Sequence, residues 1–223
     1  MRHSLKFALI TSLALCAMLG TAQADITVAV EDSTGPWLGY MNVFNLPGDG
    51  GAFQFGSAWG IPDLNAAFDD GANTLTLSPN TIGDPDPYWY IGGGGPGAPG
   101  NKIMEANLYI ENDALNLAGS TLTFSGTVLS DTFTTNHATR VFVSEFVGDY
   151  SSRVDSFFDV TAAGPFSVSL PTSGTPGNHI QYGFQTTGVN VWVTDTAPFG
   201  TVVIGTIPEP ATLGLLVLGV LGI

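Results

Sequence analysis

The chain has very few basic residues. Among its 223 residues, Lys and Arg together number 5, against 19 Asp and Glu, which gives a formal net charge of −14. Between Asp25 and Thr206, the basic residues are Lys102, Arg140 and Arg153. Because a surface this acidic repels nucleic-acid phosphates and anionic lipids, we expect no nucleic-acid partner.

Cysteine is nearly missing as well. The one cysteine, Cys16, lies in a stretch with basic Arg2 and Lys6 at its start and mostly apolar residues from 7 to 19. The segment Ala22-Gln23-Ala24 then supplies the small residues of a signal-peptidase site. Residues 1–24 are therefore predicted to be a secretory signal peptide, and the exported chain must fold without disulfides.

Sequence signatures of catalysis are sparse. The sequence contains no Gly-x-Ser-x-Gly motif, and His137 and His179 have no metal-ligand partner at helical or hairpin spacing. We therefore expect a non-catalytic protein. A glycosidase or lyase stays open as an alternative, because Glu105, Glu111 and Glu145 lie on predicted strands and such carboxylate pairs form only in three dimensions.

Few stretches space their apolar residues as a helix does. Apolar and polar residues instead alternate with a period of two. The clearest case is residues 103–110, where Met104, Ala106, Leu108 and Ile110 point to one side of a strand. About ten short strands separated by Gly, Asn and Asp turns predict an all-β fold, an antiparallel two-sheet sandwich of jelly-roll type spanning residues 25–206.

Further strands are predicted by the same alternation. They are 26–30, 40–44, 74–77, 140–147 and 201–204, the pair Leu122 and Phe124, the set Phe166, Val168 and Leu170, the set Ile180, Tyr182 and Phe184, and the set Val189, Val191 and Val193. One stretch, Pro62 to Asp69, has the spacing of a short helical turn.

Aromatic residues next to glycines give the main functional hypothesis. Sugar rings stack on indole and phenol rings while their hydroxyls bond to Asp, Asn and Gln, so exposed aromatics of this kind are typical of carbohydrate-binding sandwiches. The long segment 80–101 carries three of them, with Trp89 the foremost candidate. The alternative for each is a role in the core. The predicted polysaccharide-binding residues are Trp37, Tyr40, Trp59, Tyr88, Trp89 and Tyr90.

Acidic loop residues suggest a structural calcium ion. Calcium prefers six to eight oxygen ligands, often Asp carboxylates and loop carbonyls. Asp84 and Asp86 are the predicted ligands, and further acids occur at Asp63, Asp69 and Asp70 and at Glu31 and Asp32. The alternative is that these acids are simply solvated.

The tail carries a motif. Pro208, Glu209 and Pro210 precede an apolar run from Ala211 to Ile223, which as a helix would be about 20 Å long. This tail (residues 207–223) resembles the C-terminal sorting signal of PEP-CTERM proteins of Gram-negative bacteria, although the arginine cluster of that family does not follow Ile223. Truncation and a degenerate signal both explain the difference.

The resemblance implies an exosortase as a partner. That enzyme would recognise Pro208 to Pro210 after transient contact of the tail with the inner membrane, and release the body to the cell surface or exopolysaccharide matrix. The sequence therefore predicts a secreted, non-catalytic surface or matrix protein that binds polysaccharide through loop aromatics. An inert structural or adhesive protein is the main alternative.

Overall fold

The computed structural model describes residues 25–111 and 119–207. The predicted signal peptide with Ala22 and Ala24, the sorting motif Pro208, Glu209 and Pro210, and the predicted C-terminal helix all lie outside these residues. Strands dominate the described part, and its helices are single 3₁₀ turns. None of the helices within 25–111 and 119–207 has the length and apolar character needed to cross a bilayer.

The strands follow one another along the chain, and the longest described connection, residues 83–101, joins β6 to β7. They are β1 (Asp25–Ala29), β2 (Trp37–Asn45), β3 (Phe53–Ala58), β4 (Ala66–Asp69), β5 (Thr74–Leu77), β6 (Thr81–Ile82), β7 (Lys102–Glu111), β8 (Thr121–Asp131), β9 (His137–Phe146), β10 (Arg153–Asp159), β11 (Gly164–Pro171), β12 (His179–Val189), β13 (Val191–Trp192) and β14 (Val202–Gly205).

Two six-stranded sheets pack face to face as a sandwich. The first sheet contains β1, β8, β14, β5 and β4, with β11 on the other side of β8. The second sheet has the order β10-β9-β12-β7-β2-β3, and every neighbouring pair in it is antiparallel. A two-stranded pair, β6 and β13, lies apart from both.

The predicted two-sheet sandwich is confirmed, but two strand pairs depart from the predicted antiparallel pairing. β1 runs parallel to β8, and β13 runs parallel to β6. On one side of β8, β1 pairs with Thr121–Ser125 and β14 pairs farther along, up to Asp131. Neither parallel pair is joined by a tight hairpin, which is the connection that forces neighbouring strands to run antiparallel.

The core lies between the two sheets and centres on Phe124. Its ring lies 5.5 Å from Phe166 of the same sheet, and 5.2 and 5.5 Å from Tyr182 and Phe184 of the other sheet. These residues are almost completely buried. Because apolar burial is the main driving force for folding, the interlock of aromatic rings holds the sheets together without disulfides.

The alternation in β7 was predicted correctly. Met104, Ala106, Leu108 and Ile110 are all buried in the core. The inward sets of β8, β11 and β12 are confirmed in the same way, at Leu122 and Phe124, at Phe166, Val168 and Leu170, and at Ile180, Tyr182 and Phe184.

Two local predictions agree with the structure only in part. The stretch from Pro62 to Asp69 forms a 3₁₀ turn over Ile61–Leu64 and then strand β4, because Asn65 takes a left-handed conformation (φ 52°) that ends the helix. The strand predicted through Val193 breaks at buried Asn190, so Val191 is buried whereas Val193 is exposed. The Asn190 side chain accepts hydrogen bonds from the backbone N–H groups of Asn101 and Lys102.

A buried carboxylate fixes the connection between β11 and β12. Glu145 of β9 accepts hydrogen bonds from the backbone N–H of Ser173 (2.8 Å), the Ser173 hydroxyl (2.5 Å) and the Asn178 amide (2.7 Å). Burial raises the pKa of Glu145, but the hydrogen bonds from Ser173 and Asn178 outweigh it, and the net pKa is lowered. Glu145 is therefore ionised and holds the segment in place.

Candidate functional site

The outer face of the second sheet forms a groove. Its volume is about 650 Å³, which is within the range of ligand pockets. It crosses all six strands of the sheet and takes one residue from the loop between β9 and β10. The lining residues are Leu38, Tyr40, Asn42, Ala58, Asn107, Tyr109, Glu111, Phe142, Ser144, Phe146, Tyr150, Arg153, Phe157, Gln181 and Gln185.

Strand register brings these side chains together. Because side chains alternate along a strand, the residues between the core positions of β7 point outward, and these are Asn107, Tyr109 and Glu111. Tyr40 pairs with Asn107, which pairs with Gln185. The groove is thus the outer side of the same strands that build the core.

The walls of the groove are aromatic. Tyr40 on β2 is 37% exposed and Phe157 on β10 is 40% exposed, and these strands lie at opposite sides of the groove. Gly56 of the neighbouring strand makes room for the Tyr40 ring, since a Cβ there would lie 2.8 Å from Tyr40 Cε1. Flat exposed rings of this kind are suited to stacking on an apolar ligand face.

The floor of the groove carries side-chain amides. The Gln185 Nε2 donates to Asn107 Oδ1 (2.9 Å), and the Asn107 Nδ2 donates to the backbone carbonyls of Tyr40 (3.3 Å) and Glu105 (3.2 Å). Asn107, Gln181 and Gln185 are nearly buried at the base of the groove. These linked amides give the floor a fixed hydrogen-bonding pattern.

A glycine in the centre of the floor allows two strands to approach closely. Gly183 of β12 pairs with Tyr109 on one side and with Phe142 on the other. A Cβ at this position would lie 2.1 Å from the Leu108 carbonyl oxygen, so the two strands meet only because no side chain is present.

One end of the groove is organised by Glu111. Its carboxylate accepts hydrogen bonds from Gln181 Nε2 (2.6 Å) and the Tyr150 hydroxyl (2.9 Å), and His179 Nδ1 lies 3.3 Å from it. The rings of Tyr150 and His179 stack at 4.3 Å. Tyr150 has a left-handed backbone (φ 58°), which is unfavourable for a bulky residue. These contacts hold the Tyr150 ring, 49% exposed, over the groove.

The arginines beside the groove are paired with carboxylates. Arg153 Nε lies 2.9 Å from Asp155, and Arg140 Nε lies 3.7 Å from Asp159. Arg140 also lies over the Phe157 ring, 4.8 Å from its centroid. Both guanidinium groups therefore have a local counter-charge, and an anionic ligand would have to compete for them.

Tyr109 is a hydrogen-bond donor in this groove. Burial, followed by the negative charge of Glu111 and the influence of Tyr40, raises the pKa of the Tyr109 phenol. The hydroxyl is therefore protonated at neutral pH and can donate to a ligand oxygen.

The structure separates the six aromatics that the sequence grouped together. Tyr40 lies in the groove, whereas Trp37 and Tyr90 are buried. The Trp37 indole donates to the Asp32 carbonyl (2.9 Å), and the Tyr90 hydroxyl donates to the carbonyls of Ile82 and Val191.

The other three predicted aromatics lie outside the groove. Trp59 is partly buried and donates to the Ser57 hydroxyl (2.9 Å). Trp89 packs against the core and meets the Phe55 ring edge-on at 6.2 Å. Tyr88 is 37% exposed, with the Lys102 ammonium 4.3 Å from its ring centroid. These three residues therefore do not share a surface with Tyr40, and their predicted ligand role has no support from the groove.

Asp84 and Asp86 shape the loop in which they lie. Asp84 accepts a hydrogen bond from the backbone N–H of Asp86 (3.0 Å), and Asp86 accepts one from the backbone N–H of Tyr88 (2.7 Å). Such Asx contacts are turn-forming. Within residues 25–111 and 119–207, no group of three or more His, Cys, Asp or Glu side chains is placed to hold a metal ion.

The two histidines of the described chain, His137 and His179, lie in different environments. His137 lies between the rings of Phe133 and Phe199, and its Nε2 lies 3.0 Å from the Val189 carbonyl. Burial lowers the pKa of His137 more than the contact with Val189 raises it. His179 lies at the end of the groove beside Glu111.

Most of the groove was missed by sequence reasoning. Asn107, Tyr109, Gln181 and Gln185 lie between the inward positions predicted for β7 and β12, and no ligand role was predicted for them. The sequence signal was the recurrence of amide and aromatic residues between the inward positions of several strands. Strand register across all six strands of the sheet was needed to use it.

Trp89 gives a first test of these placements. Trp89→Ala should lower the free energy of unfolding by about 2 kcal/mol, because it removes a ring that packs against the core. Chemical denaturation measures the change, and Tyr88→Ala, which removes an exposed neighbouring ring, is the matched control. Unchanged stability of Trp89→Ala, together with lost retention on polysaccharide, would contradict a structural role.

Comparisons with known proteins yield little. No protein-family model matches the chain, and no curated protein matches it. A solved structure with some likeness contains the CBM22-1 and GH10 modules of the endo-1,4-β-D-xylanase 10B of Clostridium thermocellum in complex with xylohexaose. The match has 12% identity and a TM-score of 0.26, and it covers 48% of this chain and 22% of the xylanase. At that score the likeness supports no inference about this chain.

Proposed function

We propose that this chain is a non-catalytic β-sandwich protein that binds polysaccharide in the groove of its second sheet. The observation that carries the proposal is the groove itself, in which exposed aromatic walls flank a floor of linked amides. Sugars present apolar ring faces and a rim of hydroxyls, so a site of this composition matches both of their surfaces.

The walls and floor divide the recognition between them. Tyr40, Tyr150 and Phe157 offer rings for stacking. The amides of Gln181 and Gln185 bond to hydroxyls from below. Because Asn107, Glu111 and Gln181 are already held by neighbouring groups, little side-chain entropy is lost when a ligand binds.

Binding without hydrolysis is part of the proposal. Glycoside hydrolysis usually uses two carboxyl groups on either side of the scissile bond. Among the described residues that line the groove, Glu111 is the one carboxylate, and its oxygens already accept from Gln181 and Tyr150. An enzyme acting on the same polymer is the alternative that an activity assay must address.

Export and sorting complete the proposal. The signal-like segment 1–24 would direct secretion, and recognition of Pro208, Glu209 and Pro210 by an exosortase would place the domain at the cell surface or in the exopolysaccharide matrix. A polysaccharide-binding groove suits that location. The jelly-roll connectivity and a calcium ion at Asp84 and Asp86 stay predictions.

Affinity electrophoresis tests the proposed function. The full chain is run through native gels that contain hydroxyethylcellulose, xylan, galactomannan, alginate or polygalacturonate, and through gels without polymer. We expect retardation by at least one polymer and no release of reducing ends from it. Unchanged migration in every gel would contradict binding and favour the inert matrix protein, and reducing-end release would expose an enzyme.

A further inference from the structure

The orientation of the amides on the groove floor follows from the groups around them. The side-chain nitrogen of Asn107 faces the backbone carbonyls of Tyr40 and Glu105, at 3.3 and 3.2 Å. A carbonyl only accepts, so this nitrogen must point towards them and Oδ1 must point to Gln185. The Nε2–H of Gln185 therefore has to donate to Asn107 Oδ1 (2.9 Å). The Gln185 oxygen is left as an acceptor.

Gln181 is fixed by the same logic. An ionised carboxylate is an acceptor only, so the Gln181 nitrogen must face Glu111, which it does at 2.6 Å. The oxygen of Gln181 is therefore also left as an acceptor. Gln181 and Gln185 lie on the outer side of the same strand, on either side of Gly183. The floor thus offers two oriented oxygens, with Gly183, which has no side chain, between them.

The charges around the groove also disfavour anionic ligands. Arg153 is paired with Asp155, and Arg140 is paired with Asp159. Glu111 adds a negative charge at the floor. A carboxylate, sulfate or phosphate at the floor would face the oxygens of Gln181 and Gln185 and the charge of Glu111, which repel it. Ligand hydroxyl groups can donate to those oxygens and can also accept from Tyr109.

We infer that the groove selects neutral, hydroxyl-rich glycans and discriminates against acidic ones, with the oxygens of Gln181 and Gln185 as the groups that set this specificity. The inference rests on the proposed function and gives it a ligand class. Stacking on the walls contributes to the binding of any sugar ring, whereas the acceptor oxygens of the floor discriminate between neutral and acidic sugars. The preference can therefore be measured separately from binding itself.

Isothermal titration calorimetry with the full chain at pH 8 tests the inference. The probes are the neutral oligosaccharides cellohexaose, xylohexaose and mannohexaose, and the acidic hexagalacturonate. We expect at least one neutral hexasaccharide to bind at least tenfold more tightly than hexagalacturonate. We also expect the preference to shrink in 0.5 M NaCl, because salt screens the repulsion of the acidic probe.

Two variants assign the effect to the floor. Gln181→Ala and Gln185→Ala should each weaken binding of the neutral hexasaccharide about fivefold, which corresponds to loss of one hydrogen bond. Gln54→Ala, which changes an exposed glutamine on β3 outside the groove, is the matched control and should bind as the parent does. Melting temperatures of the three variants show that each is folded.

The outcomes are separable. Equal or tighter binding of hexagalacturonate would overturn the neutral-glycan inference and leave polysaccharide binding standing. Unchanged neutral binding in both groove variants would overturn the assignment to Gln181 and Gln185. If none of the four probes bound and no polymer retarded the chain in gels, the proposed function itself would fail.

Discussion

Replacing Tyr40 and Phe157 together by alanine is expected to weaken polysaccharide binding about a hundredfold. Each ring lies on an opposite wall of the groove, and stacking aromatics at the centre of an interface are typical hot spots. A combined loss of about 3 kcal/mol corresponds to two orders of magnitude in affinity. Because the two residues are on strands separated by β7, β12 and β9, their contributions should add.

The double substitution should have little effect on the stability of the fold. Both rings are partly exposed and point away from the core between the sheets. Affinity electrophoresis in the retarding polymer measures the binding loss, and the melting temperature, which we expect to shift by a few degrees at most, reports on the fold. A large loss of stability would mean that the rings cover the sheet and are not free to stack on a ligand.

Tyr88→Ala is the matched control for this experiment. Tyr88 and Tyr40 have the same exposed fraction, 37%, yet Tyr88 lies in the loop next to Lys102 and outside the groove. We expect Tyr88→Ala to retain full binding. Loss of binding in Tyr88→Ala, with the groove variant unaffected, would move the site to the loop of residues 80–101.

The second large effect is expected at Glu145. Glu145→Ala should lower the free energy of unfolding by about 3 kcal/mol, because it leaves the Ser173 N–H, the Ser173 hydroxyl and the Asn178 amide without their acceptor in a partly buried place. Urea denaturation at pH 7 measures the loss. The segment that joins β11 and β12 should also become more sensitive to proteolysis.

The same carboxylate predicts a pH dependence. A folded-state pKa below the unfolded value means that the stabilisation by Glu145 is fully present above the unfolded pKa of about 4.3, and is lost as the pH falls through the folded-state pKa. The stability gap between the parent and Glu145→Gln should therefore be largest near neutral pH. It should narrow below about pH 4.

Glu105→Gln is the control for Glu145. Glu105 accepts one hydrogen bond, from Asn42, on the half-exposed outer face of β7. We expect that variant to change stability by less than about 1 kcal/mol. A gap between parent and Glu145→Gln that stays constant from pH 7 to pH 3 would show that its charge does not stabilise the segment.

Much of the fold could be predicted from the sequence. The inward set of β7 was found because apolar residues at every second position can be buried only on one face of a strand. β10 was missed because Val154, Phe157 and Phe158 leave both of its faces apolar and exposed, so the alternation is blurred. The parallel pairing of β1 with β8 was missed because strand direction depends on the path of the chain.

The site was much less accessible to sequence reasoning. Of the six aromatics that the sequence grouped by their glycine neighbours, Tyr40 alone lies in the groove. Glycine neighbours indicate a turn or a close approach, and these occur equally around a buried ring such as Tyr90, whose hydroxyl is anchored to two backbone carbonyls. Local context therefore did not separate anchoring rings from exposed ones.

By itself, the sequence determined an acidic all-β domain, cysteine-free after residue 24, whose alternating strands bury one face each. Those properties are local, because side-chain direction along a strand repeats every two residues whatever the strand's neighbours are. Only the tertiary structure decided that the opposite faces of all six strands of the second sheet line one groove. Strand order and register are set by the packing of the whole core, and they bring Tyr40, Gln185 and Phe157 together from three distant parts of the chain.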